Sequence, residues 1–242
     1  MKNAAGSGAK WLDVPAERFP GWVASFAVRH GEPAAPGVTL GDGAATFTAR
    51  DGAAAECHPP FAESFAWPRA EAGPDEAAGL LAAHARVPRT VGVLLVRLGG
   101  YAAGVFAGYP PALADAKVGS RLVHGRSAAG GWSQQRFARR REKQAGEALD
   151  AAAATAAAVF GRGPRLDAVV LGGDKRAAAE LRDDPRLARY LALATERFLT
   201  VPDPKRAVLE ATPRAFTAIR IRLTEPEGLS GILGNHDRRQ WH

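Results

Sequence analysis

Between His124 and Gln144 the chain reads HGRSAAGGWSQQRFARRREKQ, and the side chains best suited to chemistry are gathered there. Ser133, Gln134 and Gln135 follow a run of tiny residues in which Gly125, Gly130 and Gly131 leave the backbone little restricted and its profile thin. A glutamine amide offers two donors and an acceptor without charge, which suits holding a water molecule beside a carbonyl. Arg126 lies before the glycines, and Arg136, Arg139, Arg140, Arg141 and Lys143 come just after the glutamines, with Glu142 the single acid among them. Like charges at i, i+3 and i+4 destabilise a free helix by about 0.2–0.5 kcal/mol per pair. A solvated helix face is the plain alternative for such a run, but the scarcity of acids favours contact with phosphates.

The order of elements around this run is a strand, a loop of small residues, and a long basic helix. Gly-Gly followed closely by Ser-Gln in that setting resembles the catalytic loop of the Vms-like release factors, and GRSAAGGWSQQRFARRREKQAGEAL resembles in particular their actinobacterial branch. That family is related to the middle domain of the eukaryotic and archaeal class-one peptide release factors, whose loop reads Gly-Gly-Gln. Beyond this run the resemblance extends over roughly Val91 to Pro226 as an order of elements.

The resemblance implies a hydrolase that cleaves peptidyl-tRNA on the large ribosomal subunit, in rescue of stalled nascent chains, without a cofactor. Gly130 and Gly131 match the glycine pair, and Gln134 matches the glutamine of the Ser133-Gln134 pair. Trp132 and Ser133 stand between the glycines and Gln134, and Gln135 follows, so either glutamine is a candidate to face the substrate. Arg126, Arg136, Arg139, Arg140, Arg141 and Lys143 would then hold phosphates of tRNA or ribosomal RNA.

The whole chain agrees with a polyanionic partner. Thirty-two Lys and Arg against 25 Asp and Glu give a net charge of +7 over 242 residues, and each phosphate neutralised releases condensed counterions. No stretch approaches the roughly eighteen apolar residues that a spanning helix needs. Cys57 is the one cysteine, which excludes an intramolecular disulfide and a multi-cysteine metal site. The start MKNAAGSGAKW has no apolar signal-peptide core, so a reducing cytoplasm is the expected compartment. Oligomeric state is not legible.

Three regions are expected: an α+β domain over 1–88, a release-factor-like α/β domain with a mixed sheet over 89–226, and a basic tail over 227–242. In the first, a helix should run from a cap at Asp13 through Phe19, Trp22, Val23, Phe26 and His30 to Gly31. Short strands between Gly37 and Pro60 should make a small antiparallel sheet, and a helix should span Pro74 to Ala85. In the second, VGVLLVRL, YAAGVFAGY and Asp115 to His124 read as a three-strand meander, the first strand too continuously apolar to be an edge. A helix from about Gln134 to Phe160 should turn Ala145, Ala148, Leu149, Ala152, Thr155, Ala156 and Val159 to the core, with Arg136, Arg140 and Lys143 on the opposite face. Alternating helices and strands follow, ending with the strand FTAIRIRL.

Other motifs earn less. The glycine pair of VVLGGDK lacks the spacing of a dinucleotide fingerprint or a P-loop and reads as a tight turn capped by Asp174. The six histidines show no ligand spacing, so no metal is expected. Two competing functions are a non-catalytic ribosome or RNA binder, and a metal-dependent RNA nuclease using carboxylates such as Asp115, Asp150 or Asp167.

Overall fold

A computed structural model describes residues 9–31, 33–41, 43–69, 71–97, 100–120 and 133–226, with the backbone alone for 33–36 and 133–142. In chain order the first elements are β1 (Lys10–Val14), α1 (Phe19–His30), β2 (Pro33–Gly41), β3 (Ala44–Ala49), β4 (Ala54–His58) and α2 (Pro74–Ala85). Next come β5 (Arg89–Arg97), β6 (Gly100–Gly108), β7 (Ala112–Ser120), α3 (Ser133–Arg162) and β8 (Ala168–Gly173). The last are α4 (Lys175–Glu180), α5 (Ala188–Leu191), β9 (Ala194–Leu199), α6 (Arg206–Ala211), α7 (Pro213–Phe216) and β10 (Ile219–Thr224). They form two compact units, one built from the chain up to Arg86 and again from Thr217, the other from Val87–Phe216.

The first unit is an antiparallel sheet in the order β1-β10-β4-β3-β2, with α1 and α2 contributing to its core. Alternation decides which face is dry. Ala45, Phe47 and Ala49 on β3, Ala55 and Cys57 on β4, and Ile219, Ile221 and Leu223 on β10 are buried with Phe19, Val23 and Phe26 of α1 and Leu81 of α2. Burial also pushes the Cys57 thiol far up, with Glu56 adding to the effect, so the thiol is a core group rather than a nucleophile. At the end of α1, His30 Nδ1 lies 2.8 Å from Asp51 Oδ2, and Asp51 Oδ1 accepts from the Ala53 N–H at 2.9 Å.

Two expectations are corrected in this unit. Asp13 caps no helix: it lies in β1, opposite Arg220, and α1 begins at Phe19 with Pro20 inside its first turn. Pro is tolerated there because the first helical N–H groups lack intrahelical partners. The strand β10, expected to close the α/β domain, instead lies between β1 and β4. Its own pattern explains this. Ile219, Ile221 and Leu223 are buried while Arg220 and Arg222 are exposed, which fits a sheet with one wet face.

The second unit is a mixed sheet in the order β7-β6-β5-β8-β9, antiparallel through β7, β6 and β5 and parallel through β5, β8 and β9. The strand β5 is central, as its unbroken apolar run predicts: Val91, Val93, Leu94, Leu95 and Val96 are all buried. Leu94, Val96, Ala103 and Val105 pack with Ala152, Ala156, Val159 and Phe160 of α3. On the other face Gly104 lies against Leu209 of α6, and Phe106 meets Phe216 of α7 edge-on at 5.7 Å.

The glycine pair after β8 is a packing device. A Cβ on Gly172 would come within 2.8 Å of the Leu199 carbonyl oxygen and of Leu95 Cδ2, and Gly173 has φ +101°. Asp174 then caps α4, its Oδ1 accepting from Arg176 N at 2.8 Å and Ala177 N at 3.0 Å. The expected tight, capped turn is what the fold contains. Among the described residues no helix is long and apolar enough to cross a membrane.

Candidate functional site

The β-sheet of the second unit fixes where the candidate loop is rooted. Arg97 on β5 is opposite Gly100 on β6, which is opposite Ser120 on β7, and Val96 is opposite Gly173 on β8. The strands β5, β7 and β8 therefore finish at one end of the sheet. In open α/β sheets this carboxyl end is where ligands bind. The chain leaves β7 there at Ser120, and α3 begins at Ser133.

Two contacts set the height of α3 against the sheet. Arg162 Nη2 lies 2.8 Å from Asp115 Oδ2, midway along β7. Seven residues earlier, Thr155 Oγ1 donates to the Tyr101 hydroxyl at 3.4 Å, and Tyr101 is opposite Gly119, one residue from the end of β7. Continuing toward its N-terminus, α3 passes the end of the sheet. From Thr155 to Ser133 the helix covers about 33 Å at 1.5 Å per residue. Ala152, Ala153, Thr155, Ala156, Val159 and Phe160 are buried, but from Lys143 to Ala151 no residue is. The helix is a packed stem with a projecting arm.

Eighteen residues make five helical turns, so the packed half of α3 serves as a key to the faces of the arm. Gln134 falls in line with buried Ala152 and Gln135 with buried Ala153. Arg136, Arg140 and Lys143 fall in line with Ala154, Ala158 and Gly161, all exposed. Arg141 aligns with buried Val159, and Arg139 with half-buried Ala157. The cations thus surround the arm, three of them on the face away from the sheet, while both glutamine positions share the sheet-side face. Ala145, Ala148 and Leu149, expected at the core, are only half-buried because they lie at the start of the arm.

The first turn of α3 holds no acidic residue. Cations near a helix N-terminus are opposed by the macrodipole, and the free N–H groups there favour an anion. Charge is also divided between the units. The second contains 21 Lys and Arg against 12 Asp and Glu, the remaining chain 11 against 13, so the excess positive charge belongs to the unit with the arm. Arg126, Gly130 and Gly131 lie outside the described residues, as does His124. Ser133, Gln134, Gln135, Arg136, Arg139, Arg140 and Arg141 are helical in backbone, and Lys143 is helical and exposed.

The carboxylates of the nuclease alternative have separate structural partners. Asp115 holds Arg162, Asp150 lies 2.7 Å from Arg186 Nη2, and Asp167 Oδ2 accepts from the Thr90 N–H at 2.7 Å. Among the described residues no group of three His, Cys, Asp or Glu is arranged to hold a metal.

One ion-pair cluster was not legible in the sequence. Arg186 Nη2 also reaches Asp184 Oδ2 at 2.6 Å, and its Nε donates to Asp184 Oδ1 at 2.9 Å. Hydrogen bonding to Arg186 holds the Asp184 carboxyl below the usual range, against a smaller opposing effect of burial. The segment RDDPR hints at an Asp-Pro turn, but nothing local points to Asp150, 36 residues away.

Among solved structures, the chain is similar to an archaeal translation termination factor, aRF1, at 14% identity and a TM-score of 0.35, with 69% of this chain and 48% of that one covered. It is also similar to Pelota of Archaeoglobus fulgidus, at 11% identity and a TM-score of 0.27, with 88% and 64% covered. The chain therefore spans about half the length of the archaeal termination factor. No curated protein matches it. The family model of the Actinobacteria/chloroflexi VLRF1 release factor matches residues 89–222, more than half of the sequence, and the chain belongs to that family.

Proposed function

We propose that the protein hydrolyses the ester of peptidyl-tRNA on the large ribosomal subunit and so releases nascent chains from stalled ribosomes. Membership of a release-factor family gives it a role in translation at the ribosome. The observation that supports the finer reading is the arm. Its tip bears Ser133, Gln134 and Gln135 about 33 Å beyond Thr155, surrounded by Arg136, Arg139, Arg140, Arg141 and Lys143. A thin cationic projection suits reaching through RNA to a buried ester.

In this mechanism Gln134 orients a water molecule toward the ester carbonyl carbon, by its amide oxygen or its backbone N–H, and so recovers much of the orientational cost of the attack. A glutamine is a very poor base, so the water's proton passes to the ribose hydroxyl beside the ester or to solvent. Donors of the ribosome or the loop meet the charge that develops on the carbonyl oxygen. The carbon–oxygen bond to the ribose then breaks, leaving a free peptide carboxylate and an intact tRNA with its terminal hydroxyl restored. The cations of the arm hold phosphates and keep the geometry in register.

The product distinguishes this from its competitors. Incubated with a large subunit holding labelled peptidyl-tRNA, the protein should yield free peptide and tRNA of full length on a gel. Shortened tRNA would indicate a nuclease; binding without either product would indicate a non-catalytic RNA binder.

A further inference from the structure

We propose that Arg186 is a positioning residue for the arm of α3: it clamps Asp150 at the arm's base, and Gly146, four residues further out, is the joint about which the arm moves. The functional half of this inference rests on the hydrolase reading above; the mechanical half does not.

The clamp is defined by geometry. Arg186 Nη2 reaches Asp150 Oδ1 at 2.7 Å, and the same guanidinium is held on its own turn by both oxygens of Asp184, at 2.6 and 2.9 Å. The Arg186 N–H adds a bond to Asp184 Oδ1 at 2.9 Å. The fork is thus pre-organised by one carboxylate and offered to the other, so little side-chain freedom remains to be given up when Asp150 is bound. The turn bearing it is anchored in the core by Leu187, Tyr190 and Leu191. Asp150 is the outermost residue of α3 with an ion pair to this scaffold among the interactions of the described residues; Leu149 beside it is the outermost to pack against the core cluster.

One turn outward, Gly146 is exposed, and a Cβ there would meet nothing within 4 Å. No contact requires a glycine, although glycine weakens a helix interior because it gives the unfolded backbone more freedom. Gly21 in α1 and Gly79 in α2 also face open space. Those helices are packed on both sides of the glycine, by Phe19 and Val23 in one and by Ala78 and Leu81 in the other, and neither can bend there freely. Gly146 differs because only its C-terminal side is held. A joint between a clamped base and a cationic tip would let the tip search for its seat while the sheet stays fixed.

The test measures distances between spin labels in the full chain, with Cys57→Ala as background because that thiol is buried. Labels at Lys117→Cys and Lys143→Cys span the joint; labels at Lys117→Cys and Ala154→Cys span only the stem. Gly146→Ala should narrow the first distribution and leave the second unchanged. Asp150→Asn and Arg186→Met should broaden or shift the first, and Arg186→Lys should lie between them and the parent. If none of these changes the first distribution, the joint and clamp are overturned, and broadening of both pairs alike would mean that the clamp merely holds the helix on the sheet.

Peptide release then tests positioning. Asp150→Asn should raise the half-saturating concentration about threefold or more while leaving the maximal rate little changed, since apparent affinity falls with the fraction of arms correctly placed. Arg186→Lys should recover part of that loss. A fall in maximal rate alone would overturn the positioning role. Should the parent protein release no peptide, the hydrolase reading fails, while the distances still report on the joint.

Discussion

Gln134 and Ala152 occupy the same face of α3, five turns apart, whereas Arg136, Arg140 and Lys143 align with exposed positions of the packed half. RNA held on the far face would leave the glutamine face clear for an ester. Replacing Arg136, Arg140 and Lys143 together with Ala should weaken RNA binding and flatten log affinity against log salt by roughly 0.7–0.9 for each phosphate no longer neutralised. Arg141→Ala, on the sheet-side face, should change the slope less. Titrations at several salt concentrations check this, and an unchanged slope in the triple variant removes the far face from the interface.

What the sequence disclosed depends on how far apart the interacting residues are. The strand β5 was legible because five consecutive apolar side chains need cover on both faces. The packed half of α3 was legible because Ala152, Thr155, Ala156 and Val159 repeat at helical spacing. The strand β1 was misread as a helix start because Asp13 and Pro15 imitate a cap, while its partner β10 lies about two hundred residues away. That same distance concealed the true sheet of β10, although its alternation of Ile219, Arg220, Ile221 and Arg222 already described one dry and one wet face. For the site, tiny residues, paired glutamines and clustered arginines announced themselves. The clamp did not, because Asp150 and Arg186 meet only through the fold.

The cap on α4 makes a measurable contribution to stability. Asp174 satisfies two otherwise free N–H groups of a six-residue helix, so Asp174→Ala should cost about 1 kcal/mol in urea unfolding, and Asp174→Asn appreciably less. Equal losses in the two variants would mean that charge, rather than the accepted bonds, makes the contribution.

Asp51 should make part of the first unit's stability pH-dependent. Burial raises its pKa, but the Ala53 N–H and the His30 ring together outweigh that and leave the carboxyl below its usual range. A group depressed in the folded state contributes stability above its unfolded pKa, about 3.9, and loses it as pH falls through the folded value. Stability of the parent should therefore drop on acidification below roughly pH 4, and Asp51→Asn should flatten the curve in that window. Urea midpoints at a series of acidic pH values test it; parallel curves would detach Asp51 from the acid transition.

The chemistry itself comes down to two adjacent amides. If Gln134 orients the attacking water, Gln134→Ala should slow peptide release by about a hundredfold or more, equivalent to about 2.7 kcal/mol in the barrier. Ribosome binding and thermal stability should change little, because no buried contact is removed from a part of α3 that projects beyond its sheet. Gln135 stands in line with Ala153 on the neighbouring part of the same face, so Gln135→Ala should be milder if it only braces the first turn. Single-turnover release from defined peptidyl-tRNA complexes, with saturating protein, separates these effects from affinity. Normal release by Gln134→Ala with failure of Gln135→Ala would transfer the same role by one residue, to the position in line with Ala153. Normal release by both would sink the water-positioning mechanism and leave the arm as a device for binding alone.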